Sequence, residues 1–279
     1  MKIVIDAGHA GFGITPGKRT PDGSMHEWDV NSKVAEYARE YLLQYRKTEV
    51  LFTHDPTGKV DTPLHERVKK ANDGKVDVFV SIHANAFGDT WNDASGIETY
   101  TNTSRTKEAT ELAHEVQKKV IKETKRIDRG VKTANFYILR ETKMTAILVE
   151  CGFMTNKVEA ELLKNDEYRR KCAQGIVGGL AKQYNLYQIH KEVGDLPLKH
   201  GDKGEGVRVL HYHLASLGYT QWKNAEIDVF GDWTKDALFR FQRDQKLRQQ
   251  EGIYDFKTAI AFAQVAEVYR QHWLKTKSK

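Results

Sequence analysis

The sequence predicts an α/β fold, a twisted and largely parallel sheet flanked by helices, followed by a small all-α C-terminal domain. Two observations carry this prediction. Short apolar runs alternate with amphipathic helical segments as far as Tyr184, and beyond that point the strand-like runs stop.

The predicted strands are Lys2–Asp6, Glu49–Thr53, Val76–Ile82, Ile97–Thr101, Phe136–Leu139 and Ala146–Glu150. Each is a short apolar run of strand length. A helix between the first two presents Val30, Val34, Tyr37, Ala38, Tyr41 and Tyr45 on one face. A second covers Lys107–Thr124, with Leu112, Val116 and Val120 at helical spacing, and a third covers Asp166–Tyr184 through Tyr168, Cys172, Ile176 and Leu180. These elements make residues 1–185 the first domain. Residues 186–196 lose periodicity and end at Pro197, as a linker does. Residues 197–270 read as three helices, near Gly206–Leu217 (stopped by Gly218), Thr234–Gln245 and Asp255–Arg270. Residues 271–279 form a basic tail.

Lys plus Arg number 44 and Asp plus Glu 38, a net +6 that favours polyanionic partners. No recognition-helix, zinc-finger or RNA-stacking pattern directs that charge to nucleic acid. No run approaches the roughly 20 apolar residues of a membrane span. The first apolar run is cut by Asp6, too early for a secretory leader, so the expected place of synthesis and storage is the cytoplasm. Two cysteines, Cys151 and Cys172, make no disulfide framework, in keeping with a reducing compartment. No protein partner is expected, and the chain reads as a monomer.

Four residues stand out as chemistry. His9 follows the first strand in KIVIDAGHAG, where glycines let backbone and ion approach closely; His83 closes DVFVSIHANA; Glu150 closes AILVECGF; and Glu27 lies in GSMHEWDVN at the start of the first helix. In open α/β sheets, sites form beyond the carboxyl ends of strands. Alone, a strand-end His is more often a hydrogen-bonded structural residue, and a helix-start Glu usually serves the helix dipole. Their shared position at one sheet edge favours a catalytic Zn2+ site with three protein ligands, His9, Glu27 and His83, and one open position. There is no HExxH pair, so the helical zincin arrangement is excluded. Glu150, in an apolar setting that raises its pKa, suits a general base and acid.

Rival assignments remain open at this level. His26 adjoins Glu27 and competes for the ligand role. Cys151 adjoins Glu150 and offers a nucleophile, although a free cysteine is more often a small buried hydrophobe. His211 and His213 lie i and i+2 on a helix, on different sides, and read as surface or packing residues. His54, His65, His114, His190, His200 and His272 read as structural or solvent-facing.

The ordered segments IVIDAGHAG, the Glu27 segment, LHERVKKAND, DVFVSIHANA, GIETYT and RGVKTANFYILRETKMTAILVECGFMTN resemble the zinc-dependent N-acetylmuramoyl-L-alanine amidases of the type-3 amidase family. That resemblance implies zinc on His9, Glu27 and His83, with Glu150 as the essential acid/base. It also implies cleavage of the amide joining the lactyl group of N-acetylmuramic acid to L-alanine of the stem peptide. Two positions depart from the family pattern: His54 stands where Arg is common, and ETKMTAIL lacks a frequent Pro. Residues 197–270 resemble a three-helix peptidoglycan-binding domain through LKHGDKGEGVRVLHYHLASLGY, IDVFGDWTKDALFRFQRDQ and GIYDFKTA, with His211 in place of the usual Gln. Leu198, Val207, Leu210, Leu214 and Leu217 are its expected core, and bacterial peptidoglycan the expected partner. The layout suggests a phage or prophage endolysin held in the host bacterial cytoplasm until release and then acting at the cell wall. The alternatives are a bacterial autolysin or sporulation amidase of the same chemistry, or a non-catalytic wall-binding protein with structural zinc.

Overall fold

The computed structural model describes residues 1–265, apart from 12, 16–18, 46, 105, 189–195, 225–226, 248–250, 256 and 263. Most of the predicted linker, residues 266–270 of the last predicted helix and the basic tail lie outside the described residues, as do His190 and His272. The chain divides into two compact units, one of Met1–Leu43 with Thr48–Leu186 and one of Gln44–Lys47 with Tyr187–Lys279.

The first unit is built on six strands: β1 (Lys2–Ala7), β2 (Glu49–Phe52), β3 (Val78–Asn85), β4 (Ile97–Thr101), β5 (Asp128–Thr133) and β6 (Thr145–Phe153). Their order in the sheet is β2-β1-β3-β6-β4-β5. Every neighbouring pair is parallel except β6 with β4. Ile3, Val4 and Ile5 of β1, Val78–Val80 of β3 and Ile147 of β6 are all buried, as central parallel strands covered on both faces require. The helices of this unit are α1 (Glu27–Leu42), α2 (Leu64–Asp73), α3 (Lys107–Thr124), α4 (Tyr137–Glu141), α5 (Lys157–Lys164) and α6 (Asp166–Gln183). Both α1 and α3 pack on α6. On the opposite sheet face, Val68 and Ala71 of α2 and Ile138 and Leu139 of α4 close over Val4, Phe79, Ala146 and Leu148.

Three expectations are corrected. Phe136–Leu139 is not a strand: Phe136 caps the one-turn helix α4, which buries Ile138 and Leu139 while Phe136 and Tyr137 stay exposed. A four-residue apolar run carries no decisive period, and tertiary packing chose the helix. The first helix stops at Leu42, so Tyr45 lies beyond it. β3 and β6 extend to Asn85 and Phe153, so His83 and Glu150 sit within strands rather than at their last residues.

The second unit contains α7 (Glu205–Ser216) and α8 (Asp232–Asp244), with further helical turns over 257–262. Leu198, Val207, Leu210, Leu214, Phe230, Ala237, Leu238, Phe241, Tyr254 and Phe262 form its core. Leu198 exchanges both backbone hydrogen bonds with Tyr254, at 3.0 and 2.8 Å, which closes the unit's start onto its third segment. Gln242 does the same work from inside, donating to Ile253 O and Thr258 Oγ1 and accepting from Gly252 N. His211 is fully buried, with Nδ1 2.5 Å from Ile227 O and Nε2 2.9 Å from Thr234 Oγ1, so it is a packing residue. Among the described residues no helix is long and apolar enough to cross a membrane.

Candidate metal and acid/base site

Parallel pairing of β1 with β3, and of β3 with β6, brings three separated segments to one sheet edge. Gly8 N donates to Ile82 O at 3.0 Å, which seats the loop after β1 directly beside His83. A Cβ on Gly8 would stand 2.2 Å from His83 Cε1, so only glycine leaves room for that imidazole. The chain then turns through His9 at φ +66°, a left-handed conformation rare for residues with a side chain. Arg67 holds that turn. Its buried guanidinium donates to Ala7 O at 2.6 Å, His9 O at 2.8 Å and Asp6 Oδ1 at 3.0 Å. Asp6 is fixed in turn by Thr53 and Ser81 hydroxyls.

Glu27 is the first residue of α1 and is 2% exposed. Its carboxylate lies between the two imidazoles, with Oε2 2.9 Å from His9 Nε2 and Oε1 2.8 Å from His83 Nδ1. Asn31 Nδ2 and Ala84 N also donate to Oε1. The ligand atoms of His9, Glu27 and His83 lie within 4.8 Å of one another. Burial opposes ionisation of Glu27, yet bonds from His83 and His9 outweigh it and hold the carboxyl well below its usual range. Burial also disfavours charge on His9, and the Glu27 carboxylate reverses that and raises its pKa. An anionic carboxylate with two imidazoles, partly buried and convergent, fits a zinc ion by donor type and number. His26 is not one of the three; it is the N-cap of α1, its backbone N–H bonded to Asp29.

Glu150 pairs in register with His83 across β3 and β6, which puts both side chains on one face. Its Oε2 is buried without a hydrogen-bond partner. Burial, followed by the charge of Glu27, pushes its pKa well above the ordinary value. Cys151, the next residue, therefore points to the other face, where it is fully buried. A hydrogen bond with the free Cys172 thiol, together with burial, raises its thiol pKa, which is the opposite of what a thiolate nucleophile needs.

Two groups were not singled out from the sequence. Arg67 was legible in one respect, since it stands four residues before Ala71 and so shares its buried helical face. The second is Glu98 of β4, which pairs with Glu150 from the other side. It accepts from Asn85 Nδ2 at 2.8 Å, Tyr100 Oη at 2.6 Å, Arg129 Nε at 2.6 Å and Lys132 Nζ at 2.5 Å. The alternation in GIETYT, with Glu98 and Tyr100 on one face, was the available signal. His54 is structural, as expected. Its buried Nδ1 accepts from Ala7 N at 2.9 Å, and burial lowers its pKa to about 4.

A mostly parallel α/β sheet that gathers a His–Glu–His donor set beside a carboxyl group with one buried, unpartnered oxygen fits a hydrolytic class of site. The family model described as N-acetylmuramoyl-L-alanine amidase matches residues 3–182, and the chain belongs to that family. A second model, a putative peptidoglycan binding domain, matches residues 203–261. The chain is 34% identical over 187 residues to the N-acetylmuramoyl-L-alanine amidase CwlM of Bacillus licheniformis, covering 67% of this chain and 70% of that protein. It is 33% identical over 209 residues to the endolysin of Bacillus phage SPP1, covering 73% of each. Among solved structures, the N-acetylmuramoyl-L-alanine amidase from Clostridium difficile 630 superposes with a TM-score of 0.62 at 34% identity, over 66% of this chain and 96% of that one.

Proposed function

We infer that this chain is a zinc-dependent peptidoglycan amidase that cleaves the bond between N-acetylmuramic acid and L-alanine. The observation that carries this reading is the row His9–Glu27–His83 with Glu150 beside His83. His9, Glu27 and His83 would hold a zinc ion, which would supply Lewis-acid chemistry at the scissile carbonyl and a water of lowered pKa. Glu150 takes the proton of that water on its carboxylate and returns it to the departing L-alanine nitrogen. Burial and the Glu27 charge raise its pKa, which favours the second transfer by holding the proton until the leaving nitrogen takes it. Arg67 and Gly8 keep the two imidazoles in place for this work.

A wall-binding protein with structural zinc would close its coordination with a fourth protein ligand. The described residues converge as a group of three, which favours the open, catalytic arrangement. The second unit supplies wall attachment, supported by its likeness to a putative peptidoglycan binding domain. Tethering raises the enzyme's local concentration on an insoluble polymer. The proposed setting is phage or prophage lysis, with the enzyme kept in the host bacterial cytoplasm until release; the likeness to the phage SPP1 endolysin supports it. The sporulation-specific amidase of Bacillus subtilis, 33% identical over 187 residues, supports the second setting, that of a bacterial amidase.

Mass spectrometry of digested peptidoglycan tests the reaction. New amino-terminal L-alanine and intact glycan strands are the expected products, and they disappear when the enzyme is treated with a chelator. Reducing sugar ends, or cleavage within the stem peptide, would sink this assignment. For the setting, cells expressing the protein are expected to stay intact until their membrane is permeabilised; spontaneous lysis would count against cytoplasmic storage.

A further inference from the structure

Four strands carry a row of charged groups across one face of the sheet. In order these are His83 on β3, Glu150 on β6, Glu98 on β4, and Arg129 with Lys132 on β5. Glu98 is buried, whereas the Arg129 and Lys132 side chains are 34% and 37% exposed. One carboxylate against two cations leaves this end of the row a net single positive charge. Glu98 accepts the Nε–H of Arg129 and one Nζ–H of Lys132, so N–H donors of both remain for a ligand. The placement is built rather than incidental. Arg129 also lies over the Phe153 ring at 4.9 Å, and its stem occupies space that a Cβ on Gly96 would enter, 2.9 Å from Cγ. Gly96 itself is at φ +108°, which favours glycine there in any case.

Direction along the row follows from the reaction, so this step rests on the amidase reading. The lactyl carbonyl faces the His9–Glu27–His83 end, and the departing L-alanine nitrogen faces Glu150. The stem peptide therefore leaves over β4 toward β5. Neighbouring strands are about 4.8 Å apart, so the β5 cations stand about 10 Å from Glu150. An extended peptide advances about 3.5 Å per residue, so two residues and the inward reach of Arg129 and Lys132 close that distance. The second stem residue is a glutamate joined through its γ-carboxyl, which leaves its α-carboxylate free. We propose that Arg129 and Lys132, anchored by Glu98, form a subsite for that α-carboxylate, so that the enzyme discriminates stem peptides by the charge of their second residue.

Two soluble substrates test this, N-acetylmuramoyl-L-Ala-γ-D-Glu-L-Lys and its amidated counterpart N-acetylmuramoyl-L-Ala-D-isoGln-L-Lys, in both of which the γ-carboxyl is tied up in an amide. The wild-type full chain is expected to prefer the carboxylate form by about tenfold in kcat/KM, chiefly through KM. Lys132→Gln keeps Glu98 paired with Arg129 and brings the local charge to zero; it is expected to shrink the preference to about threefold or less, and Lys132→Arg to restore it. Direct binding of the tripeptides L-Ala-γ-D-Glu-L-Lys and L-Ala-D-isoGln-L-Lys to the wild type gives the same comparison without any variant. Equal kcat/KM for the two substrates, or a full preference retained in Lys132→Gln, would overturn the subsite while leaving the amidase assignment intact. Failure to cleave either compound, with purified wall also untouched, would overturn both.

Discussion

Glu98 and Glu150 stand opposite each other on adjacent strands, yet the fold treats them in contrary ways. Glu98 receives four donors, two of them cations, and although burial opposes its ionisation these bonds hold its pKa below the ordinary value. Glu150 has a buried oxygen with no partner, and burial with the nearby Glu27 charge pushes its pKa up. A third glutamate, Glu27, is ionised between two imidazoles. One residue type thus fills three roles along one sheet edge, and the difference lies wholly in what each carboxyl group touches. Titratable groups whose surroundings drive their pKa values apart mark the division of labour in a site.

The largest effects test the two glutamates given chemical roles. Glu150→Gln is expected to lower kcat on a soluble muropeptide by about 10²–10⁴-fold while the protein still binds one zinc. Activity within tenfold of wild type would remove the acid/base role. Glu27→Gln should instead weaken zinc binding by on the order of 100-fold or more, read by chelator competition, because it deletes the anionic ligand of the donor set. Unchanged affinity there would break the distinction between the two residues. The pair separates metal retention from proton transfer, which a single knockout cannot do.

Stability against pH sharpens the same contrast at a smaller scale. Glu98 has a lowered folded pKa, so its contribution is full above its unfolded value and is lost as pH falls through the folded one. Glu98→Gln should cost about 1–3 kcal/mol at neutral pH and flatten the acid limb of the urea midpoint. Glu150 has the reverse sign. Its folded form keeps a proton that the unfolded chain releases above 4.5, so stability falls as pH rises from there toward the folded pKa. In the presence of chelator, Glu150→Gln should therefore be more stable than wild type at neutral pH, with the gain shrinking as pH falls toward 4.5. Parallel pH slopes in the two variants would mean that the two environments do not differ as described.

How far this was legible in the sequence depends on how local the cause was. β4 and α3 match their predicted bounds because alternation and helical spacing are properties of the segment itself. Three of the four site residues were visible because each follows or closes an apolar run, and Glu27 because it opens the first helix. By contrast, β5 reads DRGVKT, an edge strand whose charges mask any alternation, and it was not foreseen. The helix α2 has little periodic signal although its segment carries a family motif, since its buried stripe is only Arg67, Val68 and Ala71. Arg67 and the Glu98 cluster depend on partners some 30 to 60 positions away in the chain. No local pattern reports such pairings; they exist only once the strand order is set.

Cys151 supplies the smallest predicted effect and bears on the one rival mechanism that the sequence left open. It is adjacent to Glu150, so proximity alone favours it as a nucleophile. The pleat decides otherwise, because consecutive strand residues face opposite ways and only Glu150 shares a face with His83. The thiol is fully buried, and its hydrogen bond with the Cys172 thiol favours the protonated form. A thiol without access or thiolate character cannot attack an amide. Cys151→Ala is therefore expected to keep kcat/KM within about twofold, since a buried cysteine acts as a small hydrophobe that alanine nearly replaces. Thiol alkylation of the native enzyme should leave turnover intact for the same reason, whereas chelation removes it. A hundredfold loss in Cys151→Ala, in a variant whose zinc content and urea midpoint match wild type, would move the catalytic role from Glu150 to its neighbour.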